Sequence, residues 1–288
     1  MKKLLFFALL FWVATACKFQ KIQKNDDWRV RYKAAIEYYD KGDYYHAGVL
    51  LEELIPILKG SPEGEKAHFY YAYCNFEQGM YLVSSHYFKT FFDTYNRSTF
   101  AEEALYMYAY SLYADSSPIY LDQQSTNTAI DAFQEFLNHY PQSKYAVQAN
   151  NLIAELRLKL ETKAYNLAKL YHKLKREKAS IITFENFEKD YPDSNLQEEA
   201  FALKIESQHL LAVNSFETKK KERYEALISF CQKFIDKYPQ SKYLSSVQDY
   251  LVKGQNGLKE ALAYEKKVKE LQEQNKQNSA SGVVSTQN

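Results

Sequence analysis

Apolar residues recur along this sequence in a fixed phrase. It reads Phe133-x-x-Phe136-x-x-x-Tyr140-Pro141-x-Ser143, then Phe184-x-x-Phe187-x-x-x-Tyr191-Pro192-x-Ser194, then Cys231-x-x-Phe234-x-x-x-Tyr238-Pro239-x-Ser241. Two weaker copies precede these at the same offsets: Phe88, Phe91, Tyr95, Asn96 and Ser98, and Leu51, Leu54, Leu58, Lys59 and Ser61. Offsets of three, four and seven gather the apolar side chains on one face of a helix. Proline disfavours the α conformation in the residue before it, so each phrase ends a helix. The Ser two places on is expected to cap the next helix, and Ser194 with Gln197 has the spacing of a capping box. The last apolar residue of each copy falls at 58, 95, 140, 191 and 238, at intervals of 37, 45, 51 and 47 residues. Periods of that size predict stacked helical hairpins.

Punctuation supports the same reading. The 288 residues include 8 Gly and 6 Pro, and no Gly stands between Met80 and Lys253. A sheet of that size would need turns with positive φ, usually built from Gly or Asn, so β and doubly wound α/β folds fit poorly and an all-helical chain is favoured. The predicted fold is all-α: a superhelical stack of about five hairpins over residues 28–243. Longer inter-helix turns are expected at Asp115–Asn127 and Asn214–Glu222. A long helix is expected within Gln142–Tyr191, which lacks both Gly and Pro. A capping helix over 244–274 should bury Val247, Leu251, Leu258, Leu262 and Val268, because solenoid ends need a cap. The Gln-, Asn- and Ser-rich residues 275–288 are expected to be a disordered tail.

The first residues follow another logic. Lys2 and Lys3 precede an apolar run from Leu4 to Val13 and then Ala14-Thr15-Ala16-Cys17. That order fits a cleaved signal peptide over 1–16, too short to stay as a bilayer span. Small residues directly before Cys17 resemble a bacterial lipoprotein signal. Cys17 would then carry the lipid, and the polar residues 17–27 would form the tether. Removing the signal leaves 35 basic against 36 acidic residues, so net charge makes no case for nucleic acid. Cys74 and Cys231 are too few for a disulfide framework.

The first hairpin, Ala35-x-x-Tyr38-Tyr39-Asp40-Lys41-Gly42-Asp43-Tyr44-x-x-Ala47-x-x-x-Leu51, resembles a tetratricopeptide repeat. So does Ala72-x-x-Asn75-Phe76-x-x-Gly79-x-Tyr81-x-x-Ser84-x-x-x-Phe88. A further copy, Ala168-x-x-Tyr171 with Ser180 and Phe184, has Lys175 in place of the Gly. In that repeat family, positions three before and one and four after the packing Ala face the concave groove. Counted from Ala35, Ala72 and Ala109, they are Tyr32/Ile36/Tyr39, Phe69/Tyr73/Phe76 and Tyr106/Tyr110/Tyr113, with Arg29, Lys66 and Glu103 one turn upstream. The resemblance implies a ladder of rings suited to an extended peptide with apolar side chains. The alternative is that these rings pack between repeats. A basic stretch, Arg157 to Lys178, holds eight Lys or Arg and places Lys169, Lys173 and Arg176 at helical spacing, either as a solvated flank or as a docking surface for an acidic partner or an anionic membrane surface.

No catalytic motif is present. The six His never take His-Glu-x-x-His spacing, and Gly60-x-x-x-Gly64-x-Lys66 lacks the end of a phosphate loop. Neither a cofactor, a metal site nor a small-molecule substrate is expected. A lipoprotein signal, five such hairpins ending in Tyr-Pro-x-Ser and a closing helix together resemble the BamD family, lipoprotein subunits of the outer-membrane β-barrel assembly machinery. That resemblance implies a non-enzymatic periplasmic scaffold, lipid-anchored to the outer membrane. It would bind the barrel subunit BamA and targeting segments of unfolded outer-membrane proteins. Two alternatives stay open: another envelope scaffold serving peptidoglycan or division machinery, and a hydrolase or glycan-binding protein built on the same repeat.

Overall fold

The computed structural model describes residues 19–284, with side chains through 275; the signal segment and Cys17 lie outside the described residues. The helices are α1 (Trp28–Asp40), α2 (Tyr44–Leu54), α3 (Pro62–Glu77), α4 (Tyr81–Thr94), α5 (Ala101–Ala114), α6 (Gln124–His139), α7 (Ala146–Lys173), α8 (Glu177–Asp190), α9 (Gln197–Val213), α10 (Glu217–Lys237) and α11 (Leu244–Val284). Successive pairs make five hairpins, and α11 follows them. No strand occurs among the described residues. Two compact units, up to Leu160 and from Glu161, divide within α7.

The recurring phrase builds the core. Leu51, Leu54, Phe88, Phe91, Phe133, Phe136, Phe184, Phe187, Cys231 and Phe234 are all fully buried on the second helices of the hairpins. Burial of each Phe contributes roughly 1.5–3 kcal/mol. Small residues let the paired helices approach, and Ala35, Ala47, Ala72, Ala109, Ala129 and Ala168 are likewise fully buried. Tyr95, Tyr140, Tyr191 and Tyr238 each end their helix in a non-helical conformation. Their rings lie 5.1–5.9 Å from the Phe four residues back.

Ser behaves differently from the expectation. Ser61 caps α3 by accepting from the Gly64 amide at 3.0 Å. Ser98, Ser143, Ser194 and Ser241 instead accept from the amide two residues on, at 2.9–3.0 Å, closing a turn just ahead of the next helix. The capping box at Ser194 does not form. The Gln197 side chain reaches back to the carbonyls of Glu188 and Tyr191.

The unequal repeat lengths have separate sources. Hairpin three carries a long turn, 115–123. Hairpin four begins with the 28-residue α7. In hairpin five the turn is only 214–216, and the added length is in the 21-residue α10, so the expected turn to Glu222 is helix. Hairpins one and two turn through Gly42 and Gly79, both at φ 75°, and hairpin four does so through Lys175 at φ 54°.

The closing helix buries small residues more than large ones. Val247, Gly254, Gly257 and Ala261 form its covered line, whereas Leu262 is 44% exposed, against expectation. A Cβ at Gly257 would stand 2.3 Å from the Tyr224 ring, so α11 seats on α10 only with glycine there. The helix continues past Gln274 to Val284, where a disordered tail is expected from sequence, because no proline interrupts it. Residues 285–288 lie outside the described residues.

Candidate functional site

The ring positions on α1, α3 and α5 keep their register but divide by burial. Phe69 and Tyr106 are each 4% exposed, which removes them from any open groove. Phe69 stacks on Phe100 at 4.7 Å, just ahead of α5. Tyr106 stacks on Tyr145 at 4.4 Å, just ahead of α7. The next hairpin covers the position three before the packing Ala, so these rings belong to the seam between repeats. Burial pushes the Tyr106 phenol up to about 12.

The other six rings are half-buried, and ring contacts gather five of them in two groups, Tyr39 with Tyr73 through Tyr70 and Phe69, and Phe76 with Tyr110 and Tyr113. Tyr32 packs against the core of the first hairpin, its hydroxyl kept protonated by burial and by Glu63. Tyr39 lies 4.7 Å from Tyr70, which in turn meets Phe69 at 6.0 Å. Tyr73 packs 5.1 Å from Phe69. Beyond it, Phe76 lies 5.7 Å from Tyr110, and Tyr110 is nearly parallel to both Tyr106, at 5.9 Å, and Tyr113, at 5.7 Å. The shared faces are apolar, and two of the hydroxyls reach acceptors, while the buried Tyr106 hydroxyl has none. Tyr73 donates to Glu103 at 2.5 Å and Tyr113 donates to Glu155 at 2.8 Å. Burial first, and then that carboxylate, raises the Tyr73 phenol; for Tyr113 the bond to Glu155 leads. Both stay neutral donors at ordinary pH.

Arg29 does not join the ladder. It is exposed, with its guanidinium 4.6 Å above the Trp28 ring and 3.8 Å from Asp27. Beside Tyr145, an open notch of about 630 Å³ is lined by Glu102, Glu103, Tyr140 and Lys144 among others. The run therefore offers flat apolar faces with a polar margin of carboxylates and one ammonium.

The fold also places carboxylates that spacing alone did not single out. Ser98 donates to Glu65, Ser143 to Glu102 at 2.6 Å, Ser194 to Glu161 and Ser241 to Glu198 at 2.5 Å. Ser98, Ser143 and Ser194 thereby tie the start of one hairpin to the first helix of the hairpin before it, and Ser241 ties the closing helix to α9 in the same way. The sequence signal exists: each Glu stands seven residues before the packing position, at Ala72, Ala109, Ala168 and Ile205. Phe100 and Tyr145, which cover Phe69 and Tyr106, each stand two residues after the Ser of the phrase, whereas Tyr70 carries no such offset.

The basic set is broken up. Lys169 is held 3.2 Å from Glu199 and lies over the Tyr165 ring. Lys173 ends α7, and the left-handed Lys175 turns the chain, so Arg176 stands at the start of α8 instead of sharing the face of α7. Lys173 and Arg176 are exposed. Cys74 and Cys231 are buried thiols pushed up to about 12 by desolvation, which makes them inert packing residues. Among the described residues, no His, Cys, Asp or Glu cluster could hold a metal, and no helix is long and apolar enough to cross a membrane.

Comparison with known proteins gives the chain its family. A curated relative, the outer membrane protein assembly factor BamD of Rickettsia prowazekii, is 26% identical over 215 residues, covering 75% of this chain and 77% of that one. Among solved structures, the TPR-like repeats of a Podosopora anserina putative kinesin light chain overlay with a TM-score of 0.31 at 11% identity, covering 79% of this chain and 94% of that one. A variant of those repeats gives the same TM-score at 13% identity, covering 74% of this chain and 96% of that one. The family model described as outer membrane lipoprotein, YfiO, matches residues 24–225, more than two thirds of the sequence. The chain belongs to the YfiO family of outer membrane lipoproteins.

Proposed function

We propose that this protein is a non-catalytic assembly factor for outer-membrane β-barrel proteins. It is a periplasm-facing scaffold anchored through lipid on Cys17, and it binds a BamA-like barrel subunit together with targeting segments of unfolded barrel proteins. Family membership supports the general role, as does the name of the Rickettsia relative. The observation that carries the binding reading is the run Phe76, Tyr110 and Tyr113, half-buried and in ring contact across two successive hairpins. Such a surface takes up the alternate apolar side chains of an extended strand, while the Glu103 and Glu155 acceptors keep the hydroxyl edges satisfied. Lys173 and Arg176 remain exposed cations for an acidic partner.

The test is affinity capture of the tagged, lipidated protein from detergent-solubilised envelopes. Co-purification of the BamA-like subunit, with general loss of β-barrel proteins from the outer membrane on depletion, is the expected result. Capture of peptidoglycan enzymes without that subunit would replace this reading with the envelope-scaffold alternative.

A further inference from the structure

The segment that follows Cys17 is not a free tether. Phe19 lies 4.3 Å from the His46 ring and 5.9 Å from Tyr38, against the end of hairpin one where α1 turns into α2. Ile22 packs into the same core, and the Gln23 side-chain amide donates to Glu53 at 2.7 Å, toward the opposite end. Asp27 then caps α1 by accepting from the Arg29 amide. Residues 19–27 thus form a strap that starts at the turn end of the hairpin and runs back to its open end. Consecutive Cα atoms are 3.8 Å apart, so Cys17 lies at most about 8 Å from Phe19. A lipid on Cys17 therefore leaves the molecule at the turn end. The open end is one α1 length away, about 20 Å for 13 residues.

The turn end carries a side chain suited to that position. Tyr45 is 63% exposed, with its ring 5.3 Å from His46 on the same patch as Phe19. An exposed Tyr with an apolar body and a polar tip is at home in a headgroup layer. We propose that the turn end of hairpin one, around Lys41, Gly42 and Tyr45, rests on the headgroup layer of the membrane that holds the lipid. The strap fixes this hairpin upright instead of letting it swing. The inference rests on lipidation of Cys17.

Loss of the signal segment removes Trp12, leaving Trp28 at the open end as the one tryptophan. The lipidated full chain is reconstituted in phosphatidylethanolamine and phosphatidylglycerol vesicles with brominated acyl chains, and tryptophan quenching is read. Wild type, reporting from Trp28, is compared with Tyr45→Trp in a Trp28→Phe background. Quenching at position 45 is expected to exceed that at 28 by at least two-fold. Adding Phe19→Ala and Ile22→Ala should abolish the difference while sedimentation with vesicles and helicity stay unchanged. Equal quenching at both positions, or none at 45 in protein that still sediments, would overturn the proposal, the second result meaning that water or protein covers Tyr45. A chain that sediments no better than Cys17→Ser would instead overturn the anchorage itself, and the proposal with it.

Discussion

Lys175 occupies a left-handed conformation that the equivalent turns give to Gly42 and Gly79. A side chain there costs about 1–2 kcal/mol, of which the freer unfolded state of a glycine would offset roughly 0.5–1 kcal/mol. Lys175→Gly should accordingly raise the stability read by urea titration by a net of about 0.5–1 kcal/mol. Gly64 has the opposite character, since a Cβ would stand 2.1 Å from the Leu58 carbonyl oxygen. His68 sets a pH dependence: it lies edge-on to Tyr87, Phe91 and Tyr95, and burial lowers its pKa below the usual 6.5. The unfolded chain binds that proton more readily, so the stabilisation is complete above pH 6.5 and falls as acid approaches the folded value. Thermal melts from about pH 7 to about pH 5 should show a loss that His68→Phe reduces. At this scale the sequence was least legible. A Ser ahead of a helix has two uses, and only the neighbouring hairpin's Glu decides that Ser143 ties repeats together instead of capping.

Elements were far more legible, because the phrase that ends each hairpin is local physics. Apolar offsets of three and seven, a Tyr forced out of the helix by Pro, and small residues at the crossings define five hairpins without tertiary information. The errors lie where added length has two possible forms. Extra residues in hairpin three form a turn, whereas those in hairpin five extend α10. The closing helix is instructive because its contact line uses Gly254, Gly257 and Ala261, residues that an apolar-face reading passes over. Gly→Ala within a helix ordinarily stabilises by about 1 kcal/mol. Gly257→Ala should reverse that sign, since pushing α11 off the Tyr224 ring costs about 1–3 kcal/mol. Chemical denaturation would register a net loss, and Tyr224→Ala in the same chain should remove most of it.

On the scale of the whole molecule, the proposed peptide binding depends on which rings the packed hairpins leave uncovered. Spacing sets the rings of each first helix on one face. It could not tell that Phe100 and Tyr145, each just ahead of the next hairpin's first helix, lie over Phe69 and Tyr106. Those two rings are core, and their truncation to Ala should cost about 3–5 kcal/mol of stability. Tyr110 and Tyr113 are among the half-buried rings, so their loss should be felt by the ligand more than by the fold. The most direct measurement is the affinity of the protein for a peptide copying an aromatic-bearing C-terminal strand of an outer-membrane barrel protein, compared with Tyr110→Ala/Tyr113→Ala. Two ring contacts at about 0.5–1.5 kcal/mol each predict a loss of about 5- to 150-fold with the circular dichroism spectrum preserved. Unchanged affinity in a folded double variant would contradict the account.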